Sequence, residues 1–188
     1  MEPLDAIATA SSTYLGVLDQ VGTDQLGAAT PCEGWDVRAL IGHVIMGDRM
    51  AIALWDGATA DEVGQLLDQS FGDDAVALCR DSVSAQLDRA RAVTEWDAIV
   101  HHLIGDVPAS QLLQFRIGDL TLHAWDLATA LGTDLAIPDE LAEGIYESLQ
   151  PMAPFIGEIG IFGSGPSGDV GEDATIVTRL LDFTGRRP

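Results

Sequence analysis

Asp119 and His123 stand four residues apart in the run from Gly118 to Gly132, a stretch with the apolar spacing of one long helix. At about 100° per residue the two side chains fall about 40° apart on one face. Arg116 and Asp126 share that polar wedge. A carboxylate and a histidine at i and i+4 can chelate one ion, and His43 from a facing helix would make a third protein ligand. Three ligands leave positions open for water or substrate, the pattern of catalytic rather than structural zinc, with Zn–N bonds of about 2.0–2.1 Å. A plainer alternative stands beside this reading. A histidine next to an apolar stripe is often a hydrogen-bonded core residue, and Asp119 has a ready partner in Arg116. The D-x-x-x-H spacing is also far less specific than H-E-x-x-H.

Other chemistry-bearing residues read more plainly. Cys32 precedes a helix start, which lowers a thiol pKa, but Glu33 and Asp36 act against it, so a packed turn residue is expected. Cys79 reads as core. His101 and His102 are adjacent on a short β-branched run, so they point to opposite faces and cannot serve one site together; one of them is left to line a pocket mouth. Gly163 to Gly168 matches G-x-G-x-x-G, but Pro166 lies inside it and neither a strong strand precedes it nor a helix follows, so it reads as loop. Trp35, Trp55, Trp96 and Trp125 are large apolar anchors, and Asp126 is a candidate to orient a ligating histidine or to pair helices.

The elements that must position these groups follow from apolar periodicity. A first helix is expected from Leu4 to about Gln20, with Gly22 past its end. Asp36 is a good N-cap for a second helix that ends at Gly57, with Trp35 packing back on Leu40 as a staple. Gly42 and Gly47 flank His43 and would let another helix or a ligand come close. A polar connection with a short helix near 61–69 leads to a third long helix from about Asp73 to Val93. The run from Ala98 to Ile104, turned by Gly105-Asp106, predicts a small hairpin. Pro108 and Ser110 open the central helix. Pro138-Asp139 starts a fifth, stopped by Pro151 and Pro154, and residues 157–173 are Gly-rich loop before a short final element at Ile176–Phe183. Four long helices and one hairpin argue for an all-α bundle. A single domain is expected over 1–188, with a core bundle over about 1–132 and a C-terminal appendage over about 133–188.

Composition narrows the partners. The 188 residues carry 9 Lys plus Arg against 30 Asp plus Glu, a net charge of −21, and every cation is Arg. Such a surface repels phosphate backbones and anionic membranes, which argues against nucleic-acid and membrane partners. Two cysteines do not make a disulfide framework, and neither a secretory signal nor a long apolar run is evident. A cytoplasmic protein with reduced thiols is the expectation.

Three stretches resemble a known family. They are Thr30-Pro31-Cys32-Glu33-Gly34-Trp35 continuing to His43, Asp119 to Gly132 with its His123-Ala124-Trp125-Asp126-Leu127-Ala128 centre, and the ending Leu180 to Pro188. Together they are similar to the DinB-like group that includes the N-terminal domain of mycothiol-dependent maleylpyruvate isomerase and small actinobacterial metal-binding relatives. The resemblance implies a four-helix bundle with a divalent metal, often zinc, held by His43, Asp119 and His123. Asp119 stands where the thiol-dependent isomerase has Glu, and Ala124 replaces the usual Gly. The separate C-terminal domain that helps bind thiol in that isomerase is expected to be absent or reduced to the residues after Gly132. The enzyme reading is then a metal-dependent isomerase or S-transferase that delivers a low-molecular-weight thiol, mycothiol-type, to a small electrophile, with Arg116 as a candidate contact for a substrate carboxylate. The alternatives are a non-catalytic metal- or ligand-binding module of stress response, and a helical interaction domain with structural histidines. A homodimer is left open.

Overall fold

The computed structural model describes residues 1–66, 71, 74–156, 158 and 162–188. Helix α1 spans Pro3–Leu18, α2 Val37–Trp55, α3 Ala60–Gly64 and α4 Ala75–Arg91; strands β1 (Ile99–His102) and β2 (Gly105–Pro108) precede α5 (Ala109–Leu131), α6 (Asp139–Leu149) and α7 (Ile176–Phe183). Helices α1 and α2 each pack against both α4 and α5, which makes the four-helix bundle. The expected all-α architecture with one hairpin is the observed one. The short helix expected near 61–69 is the single turn of α3, and positions 67–69 and the expected start at Asp73 lie outside the described residues.

Local chemistry sets the ends that matter for the site. Asp36 caps α2 by accepting the Ala39 N–H at 2.8 Å, a contact worth about 1 kcal/mol. Gly57, at φ 92°, follows the end of α2. The α2 face that turns inward carries Leu40, Ile41, Val44 and Ile45, all fully buried, and leaves His43 half-buried at their margin.

The hairpin fixes where α5 begins. Val100 pairs with Val107 and His101 with Asp106 in an antiparallel register, and Gly105 takes the positive φ that the turn demands. Ala109 N–H donates to Ala98 O at 2.8 Å and Ser110 N–H to Trp96 O at 2.9 Å, so the first turn of α5 is tied to the hairpin base. His101 faces solvent beside Asp106, while the His102 ring lies edge-on to Phe115. At the far end of α5 the chain stops on Gly132 in the left-handed region, at φ 67°.

Helices α6 and α7 pair with each other, and α6 also touches α5 and α1. Pro151 and Pro154 do end the regular α-helix, but a 3-10 turn over Gln150–Phe155 carries the chain on. The six residues from Gly163 to Gly168 form the loop expected of them.

Gly47 exists for a packing reason. A Cβ built there would fall on Arg116 Nη1 and lie 2.8 Å from its Cζ, whereas one built at Gly118 meets only the Ile145 methyl at 3.7 Å. Gly47→Ala is therefore expected to lower stability by about 1–3 kcal/mol, the usual overpacking cost, while Gly118→Ala is neutral or stabilising. Thermal melts of the two variants check this; a Gly47→Ala protein as stable as the parent would contradict the packing.

Candidate metal centre

Burying a polar wedge inside a bundle requires partners. Arg116 is 4% exposed, and its guanidinium is committed on three sides. Nη2 donates to Asp48 Oδ1 at 2.8 Å, Nη1 to Asp119 Oδ2 at 2.7 Å, and Nε to Gln86 Oε1 at 3.1 Å. Ser82 Oγ donates to the other Asp48 oxygen at 2.8 Å. Burial pushes the Asp48 carboxyl up to about 6, even against Arg116 and Ser82. This arrangement differs from the expected substrate contact: Arg116 serves as an internal clamp whose charge is spent on the protein's own carboxylates.

The clamp leaves Asp119 Oδ1 facing two imidazoles. It lies 3.1 Å from His43 Nε2 on α2 and 3.4 Å from His123 Nε2 one turn along α5. The three ligand atoms all fall within 4.8 Å of one another. A tetrahedral ion with bonds of about 2.05 Å separates its ligand atoms by about 3.3 Å, so the donor set fits a small divalent ion. Burial alone would raise the Asp119 carboxyl, but Arg116, His43 and His123 outweigh it and hold the group well below the usual carboxylate range. Burial likewise opposes charge on His123, yet Asp119 and Asp126 prevail and hold it well above the ordinary histidine value. The same field that holds a proton between these groups would attract a metal cation.

A second set of donors, Cys32, His123 and Asp126, also clusters within 4.8 Å. Asp126 is 1% exposed and already accepts both Nε and Nη2 of Arg186, at 2.9 and 2.6 Å. A cation there would meet that guanidinium, so Asp126 is better placed to orient His123, whose Nδ1 lies 2.8 Å from Oδ2. The Cys32 thiol donates to the same oxygen at 3.3 Å, a contact beyond the turn-packing role expected of it.

Sequence reasoning placed His43, Asp119, His123 and Asp126 together and missed three supporting groups. Asp48 and Gln86 approach Arg116 from α2 and α4, and their polar side chains among apolar neighbours were the available signal. Arg186 arrives from 60 residues beyond Asp126. Trp35, expected as a staple on Leu40, also has its ring 4.8 Å from that of His43 and 5.9 Å from that of His123.

The family model described as the mycothiol maleylpyruvate isomerase N-terminal domain matches residues 7–128. An uncharacterised protein of Mycobacterium tuberculosis, present in two strains, is 30% identical over 142 residues, covering 76% of this chain and 74% of its own. The crystal structure of the mycothiol-dependent maleylpyruvate isomerase superposes with a TM-score of 0.64 at 23% identity, over 85% of this chain and 70% of that one. A mutant of the same enzyme gives the same TM-score over 88% and 72%. At that identity the likeness is one of fold. The matched segment contains all of His43, Asp119, His123 and Asp126.

The two thiols should differ in reactivity. Cys79 is fully buried beside Tyr14, and burial pushes its thiol up to about 12. Cys32 is only partly covered. A thiol reagent near pH 8 is expected to titrate one cysteine in the native protein and two after unfolding, with peptide mapping placing the native label on Cys32. Native labelling of Cys79 would contradict its environment.

Proposed function

Because the chain belongs to the mycothiol maleylpyruvate isomerase N-terminal-domain family, we propose that it binds a divalent metal through His43, Asp119 and His123 and uses it in a thiol-dependent reaction on a small electrophile. The observation that carries this reading is Asp119 Oδ1 set between two Nε2 atoms at 3.1 and 3.4 Å. Two imidazoles and one carboxylate suit zinc, and three protein ligands leave room for an exogenous group. When bound, such an ion supplies a Lewis acid that lowers the pKa of a coordinated thiol.

The protein's own residues define the rest. Arg116 holds Asp119 in place from within the bundle, so one carboxylate oxygen is fixed and the other is presented. Asp126 holds His123 by its Nδ1, which leaves Nε2 for the metal. Trp35 places its ring near both imidazoles, 4.8 Å from that of His43 and 5.9 Å from that of His123. The reaction class is isomerisation or S-transfer with a mycothiol-type thiol as cosubstrate.

One observation favours a second reading, a metal- or ligand-binding module without turnover. Arg116, the cation in the wedge best suited by sequence to hold a substrate carboxylate, is locked inside the fold. The two readings share the metal and differ in catalysis.

Purified protein is expected to carry close to one equivalent of zinc or a related divalent ion by elemental analysis. His43→Ala and His123→Ala should each lose more than the roughly 10–100-fold in affinity that outer-shell partners usually carry. Near-stoichiometric metal surviving both substitutions would sink the assignment. Thiol-dependent conversion of maleylpyruvate or of a chromogenic electrophile, lost in His43→Ala, is the expected outcome for the enzyme. No conversion with a broad panel of thiols, alongside intact metal binding, would establish the module.

A further inference from the structure

The chain's last turn ends on the candidate centre. Helix α7 closes with Gly185 N–H donating to Asp182 O at 3.0 Å and Arg186 N–H to Leu181 O at 2.9 Å. Gly185 takes φ 78°, and a Cβ there would fall on the Phe162 carbonyl oxygen, so the turn demands glycine on both counts. This turn delivers Arg186 to Asp126 with two parallel bonds, Nε to Oδ1 at 2.9 Å and Nη2 to Oδ2 at 2.6 Å, while Nη1 is tied back to Thr184 O at 3.0 Å. A bidentate arginine fixes the plane of a carboxylate as well as its charge. Asp126 Oδ2 in turn meets His123 Nδ1 at 2.8 Å, and the opposite ring nitrogen lies 3.4 Å from Asp119 Oδ1.

The neighbouring arginine does something else. Arg187 Nη1 donates to Asp182 at 3.3 Å, and its Nη2 to Ser164 Oγ at 3.2 Å and Gly165 O at 3.3 Å, which fastens the tail to the preceding loop. Two adjacent arginines therefore divide between holding the tail down and reaching the site.

We propose that the C-terminal tail is a working part of the centre, with Arg186 a positioning residue that acts through Asp126 to hold the His123 ring with Nδ1–H on Asp126 and Nε2 toward Asp119 and His43. Without Arg186 the buried carboxylate keeps, among the described residues, only His123 and the Cys32 thiol, and it loses the bidentate contact that fixes its plane. The ring then loses the orientation that aims Nε2. The consequence for metal affinity rests on the metal reading above; the ring orientation does not.

Two readouts on the full-length chain test this. Cobalt(II) affinity is measured by competition with a chromogenic chelator, and the His123 ring nitrogens are followed by long-range proton–nitrogen NMR in metal-free protein. Arg186→Gln should weaken cobalt binding by about 10–100-fold, while Arg187→Gln changes it by no more than about twofold. Arg186→Lys, which restores the charge without the planar fork, should recover part of the loss and serves if Arg186→Gln folds poorly. In the NMR experiment Arg186→Gln should lose the exchange-protected Nδ1–H signal of His123 and Arg187→Gln should keep it. Parent affinity and parent His123 signals in Arg186→Gln overturn the proposal, as does an equal loss in Arg187→Gln. Should the parent protein itself bind no cobalt, the metal reading fails and the NMR comparison alone decides the positioning role.

Discussion

A guanidinium buried in the middle of a helical bundle is the constraint from which the rest follows. Arg116 is 4% exposed, so its charge has to be met inside the protein. Asp48 from α2 and Asp119 from its own helix meet it, and Gln86 from α4 accepts the remaining direction. Each partner has a cost elsewhere. Asp48 needs the Ser82 hydroxyl for its second oxygen, and α2 needs glycine at position 47 so that the guanidinium has somewhere to lie. The gain is precision at Asp119. With Oδ2 pulled inward by Arg116, Oδ1 has one direction left, and that direction holds His43 and His123.

A second pairing mirrors the first at the next turn of α5. Arg186 donates to both oxygens of Asp126, and Asp126 sets His123. The two arginines come from different parts of the chain, one from α5 within the bundle and one from the tail after α7. Arg116 meets Asp48 and one oxygen of Asp119, Arg186 meets Asp126, and the Asp119 oxygen that faces the imidazoles is the one a divalent cation would seek. In a chain with net charge −21 and no lysine, placing two of only nine basic residues there is a concentrated use of positive charge.

The central helix was legible in the sequence because its wedge repeats at helical spacing. Arg116, Asp119, His123 and Asp126 sit on one face whatever the tertiary fold. The cap at Asp36, the turn at Gly105 and the stop at Gly132 were legible for the same reason, since their chemistry is local. What escaped were groups that matter only through contacts distant in sequence. Asp48 lies 68 residues from Arg116, and Arg186 lies 60 from Asp126; neither spacing carries a period. Arg116 itself was read as a contact for substrate because its face was visible and its depth was not. Trp35 was read only as a staple on the first turn of the helix that follows it; that its ring also lies near the two imidazoles depends on the approach of α5 to α2.

The claim that organises this account is that His43, Asp119 and His123 hold one metal ion. Anomalous diffraction from crystals grown with zinc, recorded on both sides of the zinc edge, addresses it directly. The account predicts one strong difference peak about 2.0–2.2 Å from His43 Nε2, Asp119 Oδ1 and His123 Nε2. No peak at that point, or a peak seated between Cys32 and Asp126 instead, would contradict it.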